Sequence, residues 1–154
     1  MKTLVVYYSR TGTTKKVGEE IARQLKADEE EILDVKSRAG LLGYMRSGKE
    51  ATMRSTPEIK PTKKKPDSYN LVVIGTPIWG WTVSSPVRTY LIRNKGKFKK
   101  MAFFCTCGGQ SGKAFDAIEH ATGKKAVATL VIGEKEIKDM SYSKRVKEFV
   151  ASLK

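Results

Sequence analysis

The chain has 154 residues, 40% hydrophobic and 30% charged, a balance that suits one globular domain spanning residues 1–154. Thirty Lys and Arg against sixteen Asp and Glu leave a net charge of +14, a surface that should attract anions, with a merely solvated basic surface as the alternative to a specific acidic partner. No apolar run reaches the roughly 20 residues of a membrane span. The opening Lys2–Tyr8 stretch is too short, and lacks a small-residue cleavage site, for a secretory signal. Cys105 and Cys107 are too few and too close for a disulfide framework. The expectation is a cytoplasmic protein with no membrane contact.

Leu4–Tyr8 predicts a first strand, followed by a helix whose apolar stripe is Val17, Ile21, Ala22 and Leu25. A second strand is expected over Glu31–Val35. Lys36–Ser68 then interrupts the rhythm: it is long and basic, and broken by Gly40, Gly43, Gly48, Pro57, Pro61 and Pro66. It has room for a short helix over Leu41–Met53, while Thr56–Pro66, with Lys63, Lys64 and Lys65, predicts an irregular connection. Crossovers of this length in compact domains tend to be functional or mobile; a solvated connection that simply replaces a tidy helix is the alternative.

Leu71–Ile74 is a continuous apolar run closed by Gly75, as in a strand buried on both faces. Ser84-Ser85-Pro86 opens a helix with a cap residue and a first-turn proline, and Val87, Tyr90 and Leu91 form its stripe. Met101–Cys105 predicts a fourth strand. A helix starting near Ser111 follows, with Ala114, Phe115 and Ile118 inward. Ala126–Ile132 predicts a fifth strand. Val146, Phe149, Val150 and Leu153 stripe a last helix capped near Ser141 or Ser143. Strand–helix alternation implies an α/β, doubly wound, five-stranded parallel sheet with helices on both faces, three layers in all.

In such sheets ligands bind beyond the carboxyl ends of the strands. The first of these positions carries Ser9-Arg10-Thr11-Gly12-Thr13-Thr14 ahead of a helix. Helix N-terminal N–H groups, hydroxyl donors and a glycine that admits close approach together suit a phosphate. A threonine-rich helix cap without a ligand remains the alternative at this point. A Walker loop is absent, since only Gly12 precedes Thr14-Lys15, and so is a G-x-G-x-x-G fingerprint. A cysteine phosphatase loop would need a thiolate where Ser9 stands; Cys107 is followed six residues on by Lys113 rather than arginine. A receiver domain would need an aspartate where Gly75-Thr76 ends the third strand.

Two further loops fall at the same edge: Thr76-Pro77-Ile78-Trp79-Gly80-Trp81 and Thr106-Cys107-Gly108-Gly109, the latter running on to Gly112. Glycines there expose main-chain groups, and Trp79 and Trp81 could wall a planar ring, stacking being worth roughly 0.5–1.5 kcal/mol each beyond burial. Either Trp could equally be a packed core aromatic. With GTPIWGWTVSSPVRTYL followed by FFCTCGGQSG, the whole chain resembles the flavodoxin family.

The resemblance implies strand order 2-1-3-4-5, the flavodoxin order, and FMN bound without a covalent link. It implies that Ser9, Thr11, Gly12, Thr13 and Thr14 hold the phosphate, with Arg10 turned to solvent. Thr76, Pro77, Ile78, Trp79, Gly80 and Trp81, with Thr106, Cys107, Gly108 and Gly109, would flank the ring. It also implies a peptide beside the ring that reorients on reduction; Trp79-Gly80 is the candidate, since glycine accepts positive φ. The basic charge departs from the acidic character usual in carriers of this family. It points to acidic redox partners, ferredoxin-like or a reductase, and favours the anionic reduced flavin. One lysine about 8 Å away at an effective dielectric near 20 contributes about 2 kcal/mol before screening.

No side chain is expected to be catalytic or to bind metal: the two cysteines lack further ligands nearby, and His120, the single histidine, lies on a helix flank beside Glu119. Tyr7 and Tyr8 should straddle the two faces of the first strand. Two functions fit, an FMN electron carrier and an NAD(P)H-dependent FMN reductase of quinones or flavins. A nucleic-acid module has only the basic charge in its favour and no motif.

Overall fold

The computed structural model describes all 154 residues. Its strands are β1 (Thr3–Tyr8), β2 (Asp28–Ile32), β3 (Leu71–Trp79), β4 (Thr82–Val83), β5 (Lys100–Cys107) and β6 (Ala126–Gly133). Its helices are α1 (Thr13–Leu25), α2 (Gly40–Thr52), α3 (Ser85–Arg93), α4 (Ala114–Thr122), α5 (Glu134–Lys138) and α6 (Tyr142–Ser152). Five strands run parallel in the order β2-β1-β3-β5-β6, and the short β4 pairs antiparallel with the end of β3. With β4 set aside, this is the expected 2-1-3-4-5 order. No helix is long and apolar enough to cross a membrane.

Both faces of the sheet are covered, which is why β1 and the first part of β3 are apolar without interruption. On one face Leu4, Val6, Val72, Ile74 and Phe103 pack with Val87 and Leu91 of α3 and Ile118 of α4. On the other, Val5, Val73, Ala102 and Phe104 pack with Val17 and Ile21 of α1 and Val146 and Phe149 of α6. Tyr8 belongs to the first cluster and Tyr7 to the second, as strand alternation requires.

Several boundaries differ from the sequence expectation, for identifiable reasons. The second strand is Asp28–Ile32 rather than Glu31–Val35, and Leu33 and Val35 lie exposed. β2 is an edge strand whose carboxylates have local partners: Glu29 accepts from the Tyr7 hydroxyl at 3.2 Å, Glu31 pairs with Lys15 at 3.0 Å, and Glu30 accepts the Lys63 and Lys64 N–H groups. Hydrophobicity therefore could not find it. The third strand continues past Gly75 to Trp79 because β4 turns back on it. The fourth and fifth strands, β5 and β6, each run slightly beyond the expected span. α4 begins at Ala114 rather than near Ser111, and α5 was not anticipated. Within the crossover, α2 occupies Gly40–Thr52, and an isolated bridge from Asp34 to Ile59 ties down the irregular part.

Candidate functional site

β1, β3 and β5 are adjacent, with Tyr7 level with Gly75 and Pro77 level with Thr106. The loops that follow them therefore share one rim. Direct contacts join them. The hydroxyls of Thr14 and Thr106 lie 2.7 Å apart in the interior, and the Tyr8 and Trp79 rings meet edge to face at 5.4 Å. The Trp81 carbonyl accepts the Lys113 N–H at 2.7 Å.

The first loop presents main-chain donors. Gly12 has φ 98°, its N–H donates to Ser9 Oγ at 3.0 Å, and nothing stands within 4 Å of where a Cβ would project. That positive φ closes the turn into α1 without a side chain over it. No side chain caps α1 and no acidic residue sits in its first turn, so first-turn N–H groups and the positive end of the helix dipole are left for an anion. Thr11 and Thr13 add hydroxyls at the surface, whereas the Thr14 hydroxyl is engaged with Thr106, leaving Thr14 its main chain to offer. Arg10 does not turn to solvent. Its Nε and Nη2 donate to the carbonyls of Arg38 and Gly40, and its guanidinium lies over the Tyr44 ring. The first loop is thereby fastened to the start of α2.

The second loop is a tight hairpin. Trp79 pairs with Thr82 across two residues of positive φ, Gly80 at 54° and Trp81 at 64°. A type I′ turn requires this at both central positions. Glycine accepts it freely, but for tryptophan the left-handed region costs about 1–2 kcal/mol. The surroundings enforce it: Lys113 N–H holds the Trp81 carbonyl, and Gly112 sits so close that a Cβ on it would fall 2.2 Å from that oxygen. The Trp81 side chain remains 68% exposed. Trp79 is placed differently, between Tyr8 and the Arg38 guanidinium, which lies 5.2 Å from its ring centroid. The two tryptophans thus divide the roles foreseen for both: Trp79 packs, and Trp81 presents its indole at the rim. The Trp79-Gly80 peptide enters a turn already fixed at positive φ. Thr76 is buried, with its hydroxyl accepting the Ser84 N–H at 3.0 Å, and so fixes the entry to α3.

The third loop contributes exposed Gly108 and Gly109 after buried Cys107. Burial raises both thiol pKa values, Cys105 especially, so neither is a ready nucleophile. Across residues 9–14, 76–83 and 106–113 the only charged residues are Arg10 and Lys113. This donor set of helix N–H groups, neutral hydroxyls and an unpaired indole fits a flat ring carrying a phosphate.

One residue beneath the site gave no sequence signal. Arg38 is buried; it donates to Asp34 at 3.0 Å, Glu50 at 2.5 Å and Ser47 at 3.3 Å, while Ser85 Oγ also donates to Glu50 at 2.8 Å. Tyr8 donates to the other oxygen of Asp34. Burial alone would lower the guanidinium pKa, but the Glu50 and Asp34 contacts outweigh it and raise it. Two cavities, of 310 and 230 Å³, lie around this cluster. The first is lined by crossover residues such as Lys36 and Glu58, and the second reaches only Tyr8, Ser9 and Arg10 of the rim.

Comparison with known proteins agrees with this fold. A flavoprotein from Lactobacillus acidophilus NCFM, solved in complex with FMN, is 24% identical over 91% of this chain and 98% of its own, with a TM-score of 0.74. Flavodoxin from Megasphaera elsdenii is 19% identical over 97% and 98%, with a TM-score of 0.59. A candidate quinone reductase from Klebsiella pneumoniae is 10% identical over 99% of this chain and 85% of its own, with a TM-score of 0.60. At these identities the likeness is one of fold. No curated protein sequence matches the chain. The family model described as Flavodoxin matches residues 2–152, so the chain belongs to the flavodoxin family.

Proposed function

We propose that this protein binds FMN at the β1, β3 and β5 rim and carries electrons between redox partners. The bound flavin supplies the redox chemistry, as cofactors do, and the protein supplies binding, orientation and electrostatics. The observation that carries the reading is Trp81. Its backbone is held in a costly conformation by Gly112 and Lys113, yet its side chain has no partner. Strain sustained by surrounding structure marks functional positions. The first-turn N–H groups of α1, with Thr11 and Thr13, receive the phosphate. Trp81 and the main chain of Thr106–Gly109 bound the ring. Thr14 and Thr106 hold the first and third loops at fixed separation.

The test is reconstitution of apoprotein with FMN, followed by assay with NADPH and a quinone. Stoichiometric FMN, reversible reduction by a chemical donor and no NADPH oxidation are the expected results. Rapid NADPH turnover would assign the protein to the NAD(P)H-dependent reductases instead. A protein that cannot take up FMN would refute both.

A further inference from the structure

α2 is built inside out. Its buried positions are Gly43, Ser47 and Ala51, small residues on one face. Gly43 meets the crossover backbone so closely that a Cβ there would lie 2.0 Å from the Arg38 carbonyl oxygen. The large apolar side chains point the other way: Leu41 is 73% exposed, Leu42 82%, Tyr44 65% and Met45 61%. A surface helix ordinarily turns its apolar stripe to the core. Four such side chains expose on the order of 500 Å² together, at the upper end for a monomer's largest patch and typical of an interaction site.

The helix is fastened to the proposed flavin site at both ends. Arg10 of the first loop holds the Arg38 and Gly40 carbonyls and stacks on Tyr44. At the other end the hairpin bearing Trp81 rests on α2, with Gly80 so near that a Cβ would fall 2.7 Å from the Thr52 hydroxyl. A body covering α2 would therefore stand beside Trp81. Charge identifies that body. Residues 36–65 carry nine Lys and Arg against two Glu, and Glu50 is already engaged by Arg38, Arg46 and Ser85. Lys36, Lys49, Arg54 and Lys60 stand exposed along the same crossover as the apolar patch.

We infer that the exposed face of α2, with Trp81 at its end, is the docking surface for an acidic redox protein that presents an apolar patch ringed by carboxylates; this rests on the electron-carrier reading above. A protein partner fits better than a lipid surface because the face abuts the loops through which electrons must pass. Carboxylates meeting the basic rim would speed encounter, and the apolar centre would supply the lifetime of the complex.

The test uses FMN-loaded protein and a reduced, acidic [2Fe–2S] ferredoxin as probe donor, with basic cytochrome c as the opposite-charge control. Wild-type exchange with ferredoxin should exceed that with cytochrome c and fall as ionic strength rises. The double variant Leu42→Ser/Met45→Ser should slow ferredoxin exchange by about tenfold. Its FMN affinity and its reduction by dithionite should stay at wild-type values. Lys124→Ser/Lys125→Ser removes two charges before β6, at the opposite end of the sheet, and should change the rate far less. Unchanged ferredoxin exchange in the double variant would overturn the assignment. So would binding to phosphatidylserine vesicles that depends on Leu42 and Met45 while ferredoxin exchange does not, or a concentration-dependent dimer that the variant dissolves. Failure to take up FMN would instead strike the electron-carrier reading, so the two failures are distinct.

Discussion

Replacing Trp81 by glycine separates what this residue costs the fold from what it gives the ligand. Trp81 is 68% exposed and its backbone sits at φ 64°. Glycine there loses little burial and relieves roughly 1 kcal/mol of left-handed strain. Part of that gain is offset by the larger conformational entropy of an unfolded glycine. Apoprotein stability in urea should therefore stay level or rise slightly. FMN binding should respond the other way. Covering one indole face, about 80 Å², at about 25 cal/mol per Å² gives about 2 kcal/mol. Stacking adds about 0.5–1 kcal/mol. A loss of about 2.5–3 kcal/mol corresponds to a Kd raised roughly 70- to 160-fold, readable as recovered flavin fluorescence in a titration of apoprotein. Trp79→Ala should give the reverse pattern, because that ring packs against Tyr8 and Arg38: lower apoprotein stability and a smaller direct effect on affinity. A W81G protein that binds FMN as tightly as wild type, or that unfolds at markedly lower urea, would refute the assignment of Trp81.

Other expectations follow from neighbouring features. Gly112→Ala places a Cβ 2.2 Å from the Trp81 carbonyl at a residue of φ 55°, so it should displace the hairpin and weaken FMN binding as well as stability, measured by the same titration and by urea unfolding. Arg38→Met strips the buried partner from Asp34 and Glu50 and should cost about 3 kcal/mol of unfolding free energy, seen as a lower urea midpoint. Arg88 is buried with its Nε unpartnered, and burial, then Arg54, lowers its pKa; Arg88→Met should leave thermal stability unchanged or raise it. Alkali should unfold the protein progressively. Burial and the bond to Asp28 raise the Tyr69 pKa to about 12. Its stabilising share is whole below about pH 10 and is lost as pH climbs through 12. Tyr69→Phe should flatten that part of the curve in far-UV circular dichroism.

What could be read from the sequence was whatever periodicity and turn chemistry express locally. Val72-Val73-Ile74 declared a doubly buried strand, Ser84-Ser85-Pro86 a helix start, and Ser9–Gly12 the turn between β1 and α1, because each depends on neighbours along the chain. β2 was displaced by three residues because its stability comes from pairing with β1 and from carboxylate partners such as Tyr7 and Lys15, which lie far off in sequence. The hairpin was missed for a related reason. Its turn residues are Gly-Trp where Asn-Gly would have signalled one, and the conformation of Trp81 is imposed by Gly112 and Lys113 some 30 residues away. Arg38 looked like one more base in a basic crossover. Nothing local marks a guanidinium that will be enclosed by residues from β2's end, α2 and α3.

The uneven distribution of charge then assigns two tasks to different residues. Screening at physiological ionic strength has a length of about 8 Å, so most of the +14 charge cannot act on a flavin at the rim. Within the three loops only Arg10 and Lys113 are charged, and Arg10 already faces the carbonyls of Arg38 and Gly40. Lys113, whose backbone N–H holds the Trp81 carbonyl, is the loop cation with no partner of its own, and a cation beside a flavin bound as proposed would favour the anionic reduced form. On the docking surface proposed above, the crossover bases would act farther out, on encounter. A Lys113→Gln variant should make reduction harder with little change in partner salt dependence. Neutralising Lys36, Lys49 and Lys60 should flatten the salt dependence and leave the potential in place. If both properties moved together in either variant, one shared field would govern the site, and the division of labour between loop and crossover would be wrong.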